Sequence, residues 1–187
     1  MKCLLITALL FSIYCCSSKN SDAAASIPSK DTLIKSIQDS GFGSTLDNIN
    51  NSPNAVMKFE IEGKPCIAII NQYFKNYSYK KSFPYSLWIT VETKEKNTNG
   101  HPLPAEATLF NILEDSLIKS FIPKTRFCYI GRTIRDGYRE VMIYVQDKAK
   151  ATEIMKAFIK DNPFNRKIEF AIDQDPTWES VSGFIDL

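Results

Sequence analysis

The chain has 187 residues, of which 44% are hydrophobic and 24% charged. That length and composition suit one globular domain with a full core and exclude a chain disordered throughout. A formal net charge of +2 gives no global drive toward nucleic acid, so none is expected as a partner, and any basic surface must come from local clustering.

Lys2 and the apolar run from Leu4 to Tyr14 read as the n- and h-regions of a signal peptide. The run is too short to span a bilayer, which takes about 20 residues, and fits the roughly 7–15 of an h-region. Cys15-Cys16-Ser17-Ser18 follows at once. A cysteine in that place points to a bacterial lipoprotein signal. Cys16, with a small residue before it, is a better lipid acceptor than Cys15 behind the bulky Tyr14. The plainer alternative is a secretory peptide cleaved nearby, with Cys16 an ordinary thiol. Lipidation would hold the protein by several acyl chains, beyond the marginal grip of one. On this reading 1–16 are signal and lipidation site, and 17–29, small and polar, are a flexible tether. The expected address is the cell envelope, membrane-anchored on the periplasmic or outer-membrane side.

Within 30–55, Leu33, Ile34 and Ile37 predict a short helix from about Lys30 to Asp39, stopped by Gly41 and Gly43, and an Asn-rich loop follows. The domain proper is predicted over 56–187. Val56 to Glu62 alternates as a strand, Gly63-Lys64-Pro65 turns the chain, and Cys66 to Phe74 returns. Tyr85 to Thr93 is a third strand, with Leu87, Ile89 and Val91 on one face and Trp88 on the other.

Pro104 suits the first turn of a helix, and Glu106 sits near its positive end. Leu109, Leu113, Leu117 and Phe121 mark its apolar stripe, and Pro123 closes it. Phe127 to Asp147 reads as two strands joined at Arg135-Asp136-Gly137, because Asp-Gly between β-rich runs favours a tight hairpin. Ala151, Ile154, Met155, Phe158 and Ile159 predict the next helix. Lys167 to Ile172 is the last strand, and an aromatic-containing tail ends the chain.

From residue 85 the order is strand, helix, strand, strand, helix, strand. It predicts an α+β fold, a ferredoxin-like antiparallel sheet with two helices on one face. An N-terminal β-hairpin is added, either at a sheet edge or over the open face.

No catalytic residue is nominated. His101 is the only histidine and sits in a Gly-His-Pro loop with no ligand cluster around it, so no metal and no cofactor are expected. Glu114 and Asp115 are adjacent on a helix and point about 100° apart. Asp173 and Asp175 suit a turn and a helix cap before Pro176. Cys66 and Cys128 both fall in apolar strand-like runs, which favours two buried thiols over a disulfide.

Two patterns make candidate binding surfaces. Aromatics interleave with lysines from Tyr73 to Phe83, with Tyr77 at the centre and Trp88 following; such rings can stack on sugars or bases. Loop anchoring explains the same pattern. Arg132, Arg135 and Arg139 surround the central hairpin and could grip an anion, or pair with Glu140, Asp136 or acids on the helices. Trp178 in the tail completes the candidate set. The whole predicts an envelope lipoprotein acting as a binding or scaffolding module, with the membrane as one partner through its lipid and an envelope protein as another.

Asn99-Gly100-x-Pro102, Leu113-Glu114-Asp115-x-Leu117, Ile130-Gly131-Arg132-Thr133-x-x-x-Gly137-x-Arg139-Glu140, Tyr144, Asp147 and Asp173-x-Asp175-x-x-Trp178 together resemble the bacterial domain family of unknown function 695, over roughly residues 56–180. That family is similar to RraB, the protein regulator of ribonuclease E, whose domain has a ferredoxin-like core. The resemblance implies regulation by protein–protein contact as an alternative function, and it brings no catalytic residues. RraB-like domains close on a Leu-x-Pro ending, whereas this chain reads Val181 to Leu187 without a proline. A hydrolase or saccharide-binding domain using the aromatic-lysine loop is a further alternative.

Overall fold

The computed structural model describes residues 54–186. The signal, Cys16, the tether, and the helix and loop predicted before residue 54 lie outside the described residues.

Strands β1 (Asn54–Ile61) and β2 (Lys64–Asn71) form the first hairpin. Its turn is Glu62-Gly63, not the expected Gly63-Lys64-Pro65. Both residues have positive φ, 52° and 75°, the requirement of a two-residue type I′ turn that matches strand twist. Pro65 therefore lies within β2, opposite Glu60. Pairing of β2 with its other neighbour begins only at Cys66, so no ladder bond is lost.

The rest follows the predicted order: β3 (Tyr85–Glu92), α1 (Pro104–Phe121), β4 (Phe127–Arg135), β5 (Tyr138–Val145), α2 (Lys148–Lys160) and β6 (Ile168–Gln174). The β4–β5 turn is Asp136-Gly137, again with positive φ at both residues. Six strands make one antiparallel sheet in the order β1-β2-β4-β5-β3-β6. The last four are the ferredoxin-like core, and the first hairpin extends it at the β4 edge.

On one face α1 and α2 pack Phe110, Leu113, Leu117 and Phe121, with Ala151, Ile154 and Met155, onto Leu87, Ile89, Val91, Val141 and Ile143. The other face is not open. A short helix, α3 (Glu179–Ile185), folds the tail back over β2, β4 and β5, and Trp178, Val181 and Ile185 meet Ala68, Ile70, Ile130 and Met142. Phe74 and Phe83 from the aromatic-lysine loop complete this second core. One sheet thus carries two hydrophobic layers, and the hairpin supplies floor for the second.

Gly131 marks where the two halves of the sheet join. Its φ is 149°, and a Cβ there would lie 2.2 Å from the Ile69 carbonyl oxygen. The register slips between Tyr129 and Gly131, a β-bulge that brings β2 close against β4.

Candidate functional site

The buried stripe of α1 carries two acids among its apolar residues, Glu106 and Glu114. A carboxylate taken out of water needs a cation and hydrogen bonds, and the fold supplies both. Arg166 grips Glu106 bidentately, Nε to Oε1 at 2.8 Å and Nη2 to Oε2 at 2.5 Å, while the Lys94 backbone N–H donates at 3.0 Å. The Arg166 hydrogen bonds hold the Glu106 carboxyl below the usual range against the opposing effect of burial. This pair closes the 161–167 link onto the start of α1 and is structural.

Glu114 is different, because two arginines share it. Arg132 Nη1 donates to Oε1 at 3.0 Å, and Arg139 Nη2 lies 3.0 Å from Oε2. The Tyr129 hydroxyl also donates to Oε1. Arg139 Nη2 donates to Asn111 Oδ1 at 3.0 Å, and its guanidinium lies over the Phe110 ring at 5.6 Å. Register explains the convergence: past the bulge, Arg132 faces Val141 and Ile134 faces Arg139 across β4–β5, on the side that α1 covers.

The cluster carries two guanidiniums for one carboxylate, and the Nε of each is buried without a hydrogen-bond partner. Burial lowers Arg139 from its ordinary value; Glu114 opposes that, and repulsion from Arg132 adds to it. Burial raises the Tyr129 hydroxyl, with Glu114 adding to the effect, so Tyr129 acts as a donor. Arg132 keeps 27% of its side chain exposed, against 5% for Arg139. It lines a cavity of about 230 Å³ with Asn54, Glu114, Asp115, Ile118, Lys119, Ile122 and Tyr129. Chemically its wall carries two carboxylates, Glu114 and Asp115, against the cations Arg132 and Lys119, with Arg139 buried behind Glu114.

The remaining sequence-nominated residues fall elsewhere. Arg135 lies on the opposite face and grips Glu140 through Nε and Nη2, at 3.0 and 2.8 Å, with Thr133 Oγ1 bonded to the same carboxylate. Trp178 is fully buried and stacks on Tyr144 at 4.3 Å and on Tyr77 at 5.7 Å. Its Nε1–H donates to the Phe83 carbonyl at 3.0 Å. Tyr77 and Trp88 are half-buried against the same core. As placed, these three rings pack into the second core. Cys66 and Cys128 are buried free thiols, and burial pushes the Cys128 thiol up. His101 braces the first hairpin, with Nε2 2.9 Å from the Pro65 carbonyl oxygen. Among the described residues no group of three or more His, Cys, Asp or Glu could hold a metal ion.

The profile of a family of unknown function, DUF695, matches residues 55–185. The chain belongs to this family. No curated protein and no solved structure matches it. The residues quoted above for the DUF695 resemblance acquire physical roles in the fold. Gly100 packs against the β4–β5 turn, where a Cβ would lie 2.5 Å from the Gly137 nitrogen, and Gly137 N–H donates to its carbonyl at 2.9 Å. Asp147 caps α2, accepting from the Lys150 N–H at 2.9 Å. Tyr144, Asp175 and Trp178 clasp the tail.

Asp175 is the centre of that clasp. Its carboxylate accepts from the Tyr144 hydroxyl at 2.6 Å and from the backbone N–H groups of Glu179 and Ser180 at 2.9 and 3.0 Å. Burial works to raise its pKa, but these hydrogen bonds to the charged form win and lower it from 3.8 to about 2. A lowered folded-state pKa contributes stability that is complete above 3.8 and is lost as pH falls toward 2. Asp175→Asn should therefore lower stability at neutral pH and flatten its slope over that acid interval, read from urea midpoints across pH. An unchanged slope would show that the clasp does not titrate with folding.

Of the site as found, Arg132 and Arg139 were nominated from sequence, whereas Glu114, Tyr129 and Asn111 were not. The signal for Glu114 was present. It lies four residues after Phe110 and three before Leu117, inside the apolar stripe, so its carboxylate had to be buried and paired.

Proposed function

We propose that the chain is a binding module of the cell envelope, held to the membrane by a lipid on Cys16, that takes a carboxylate of a protein partner in the cavity beside Arg132. The observation that carries the reading is the shared Glu114: two guanidiniums face one carboxylate, and the more exposed guanidinium lines a small cavity. A second carboxylate entering there meets the planar Arg132 donor fork with the Lys119 ammonium on the same wall. The volume suits one acidic side chain or a chain terminus better than a cofactor, since small-molecule pockets run to about 300–1,000 Å³. The lipoprotein-like signal before a tether supports the address.

Calorimetric titration with a short peptide ending in a free carboxylate, and with its amidated twin, tests the site. Heat is expected from the acid alone. Arg132→Gln should weaken it roughly 10- to 100-fold, the value of one charge-assisted hydrogen bond, with Arg132→Lys intermediate. Equal binding of acid and amide would remove the reading. The regulator function implied by RraB would also work through protein contact, and it requires the chain to remain in the cytoplasm, where palmitate is not incorporated.

A further inference from the structure

The two ends of the sheet differ in charge. One end comprises the chain entry at Asn54, the links 72–84, 122–126, 146–147 and 175–178, and the first turns of α2 and α3. Lys75, Lys80 and Lys81 occupy the first link and Lys124 and Arg126 the second, while Lys148 and Lys150 begin α2. Against these seven cations stand Asp147, Asp175, Glu179 and Glu153, the last paired with Lys150 at 3.0 Å. Asp147 is committed to capping α2 and Asp175 to the tail clasp. The opposite end, formed by 62–63, 93–103, 136–137, 161–167 and the first turn of α1, sets Lys94, Lys96, Arg166 and Lys167 against five acids, Glu62, Glu95, Glu106, Asp136 and Asp161. The fold sorts a nearly neutral chain into a basic end and a balanced one.

Apolar side chains accompany the basic end. Tyr73, Tyr79 and Ile122 are each more than two-fifths exposed there, interleaved with the lysines. Lys124, Arg126, Lys148 and Lys150 line a broad open depression at the start of α2. Tyrosines beside lysines and arginines are the composition of a membrane–water interface, where the rings sit at headgroup depth and the cations reach phosphates. The described chain also enters the domain at this end, at Asn54 of β1.

We propose that this basic end is a docking surface for an anionic phospholipid bilayer. Its lysines and arginines meet headgroup phosphates, and Tyr73, Tyr79 and Ile122 enter the interface. The partner class rests on the envelope reading; the surface chemistry does not. Docking of this end would turn the turns at the opposite end, and His101 with them, away from the membrane.

The test uses the full chain carrying Cys16→Ser, which cannot take the lipid, sedimented with vesicles of phosphatidylcholine alone or mixed with phosphatidylglycerol. Partitioning should rise about tenfold or more with the anionic lipid and fall with added salt. Lys81→Glu and Lys124→Glu, with the Glu153-paired Lys150→Glu on the α2 surface, should together abolish that selectivity while leaving the thermal midpoint within a few degrees of wild type. If the triple variant unfolds, the corresponding glutamine variant should still lose most of it. Equal partitioning into both vesicle types overturns the proposal. Binding to an oligonucleotide as tight as that to anionic vesicles overturns the choice of a bilayer. Palmitate labelling of the wild type and of Cys16→Ala tests the anchor separately: an unlabelled wild type removes the envelope reading and leaves the vesicle result standing, and a labelled wild type without lipid selectivity does the reverse.

Discussion

Trp178→Ala should cost about 3–5 kcal/mol of folding stability, the range for deleting a buried large aromatic. Against a total of roughly 5–15 kcal/mol for an ordinary domain, that is a large share of what holds the protein folded. The indole is fully buried, joins α3 to the sheet through its stack on Tyr144, and donates to the Phe83 carbonyl of the aromatic-lysine loop. Trp178 also sits in the left-handed region, φ 64° and ψ 34°. A non-glycine residue held there costs of order 1–3 kcal/mol and persists only where its surroundings over-determine it; here the Asp175 clasp and the aromatic stack do so. Trp178→Phe should recover most of the packing and lose the N–H bond, about 1 kcal/mol net. Urea unfolding of the three proteins gives the order. A midpoint for Trp178→Ala close to wild type would show that the tail is an appendage and that the indole is free to serve a ligand.

The ferredoxin-like part was legible because its signals are local. Leu87, Ile89 and Val91 alternate against Trp88, the stripes of α1 and α2 repeat at helical spacing, and Asp136-Gly137 forms a turn that few other dipeptides allow. The position of the first hairpin was not, since edge pairing leaves no local mark, although one clue stood in the contrast between its strands. β1 alternates as an edge strand does, whereas Cys66 to Ile70 is apolar at every position and pairs on both sides, with β1 and β4. Helix α3 was illegible for another reason. It has seven residues, too few for periodicity to register, and Trp178, Val181 and Ile185 pack on a floor built jointly by Ala68 and Ile70 of the hairpin and Ile130, Met142 and Tyr144 of the core strands. In the aromatic-lysine loop the anchoring role is the one the fold displays for Phe74, Phe83 and Tyr77, while Tyr73 and Tyr79 stay exposed.

Glu114→Ala should be about as costly as the loss of Trp178, for an electrostatic reason. Removing one partner of a buried ion pair costs about 3–5 kcal/mol, because the other charge stays buried without compensation. Here two charges are left. Arg132 and Arg139 both contact the Glu114 carboxylate, and Arg139 is 5% exposed, so solvent does little to screen it. The Tyr129 hydroxyl loses its acceptor in the same step. The distinguishing variant is the double replacement Glu114→Met with Arg139→Met. It removes the most buried charges together and fills their volume, and such apolar replacements are often neutral or stabilising. Most of the stability lost in Glu114→Ala should therefore return in the double variant. A coupling energy of about 1–3 kcal/mol is expected from the cycle of Glu114→Met, Arg139→Met and the pair. Carboxylate binding separates the two roles of the cluster. The double variant keeps Arg132 exposed to the cavity without its shared carboxylate, so a peptide acid should bind it at least as tightly as wild type. A double variant that folds well but no longer binds would mean that Glu114 orients Arg132 for the ligand; strict additivity in the cycle would mean that the two arginines do not feel each other through the carboxylate at all.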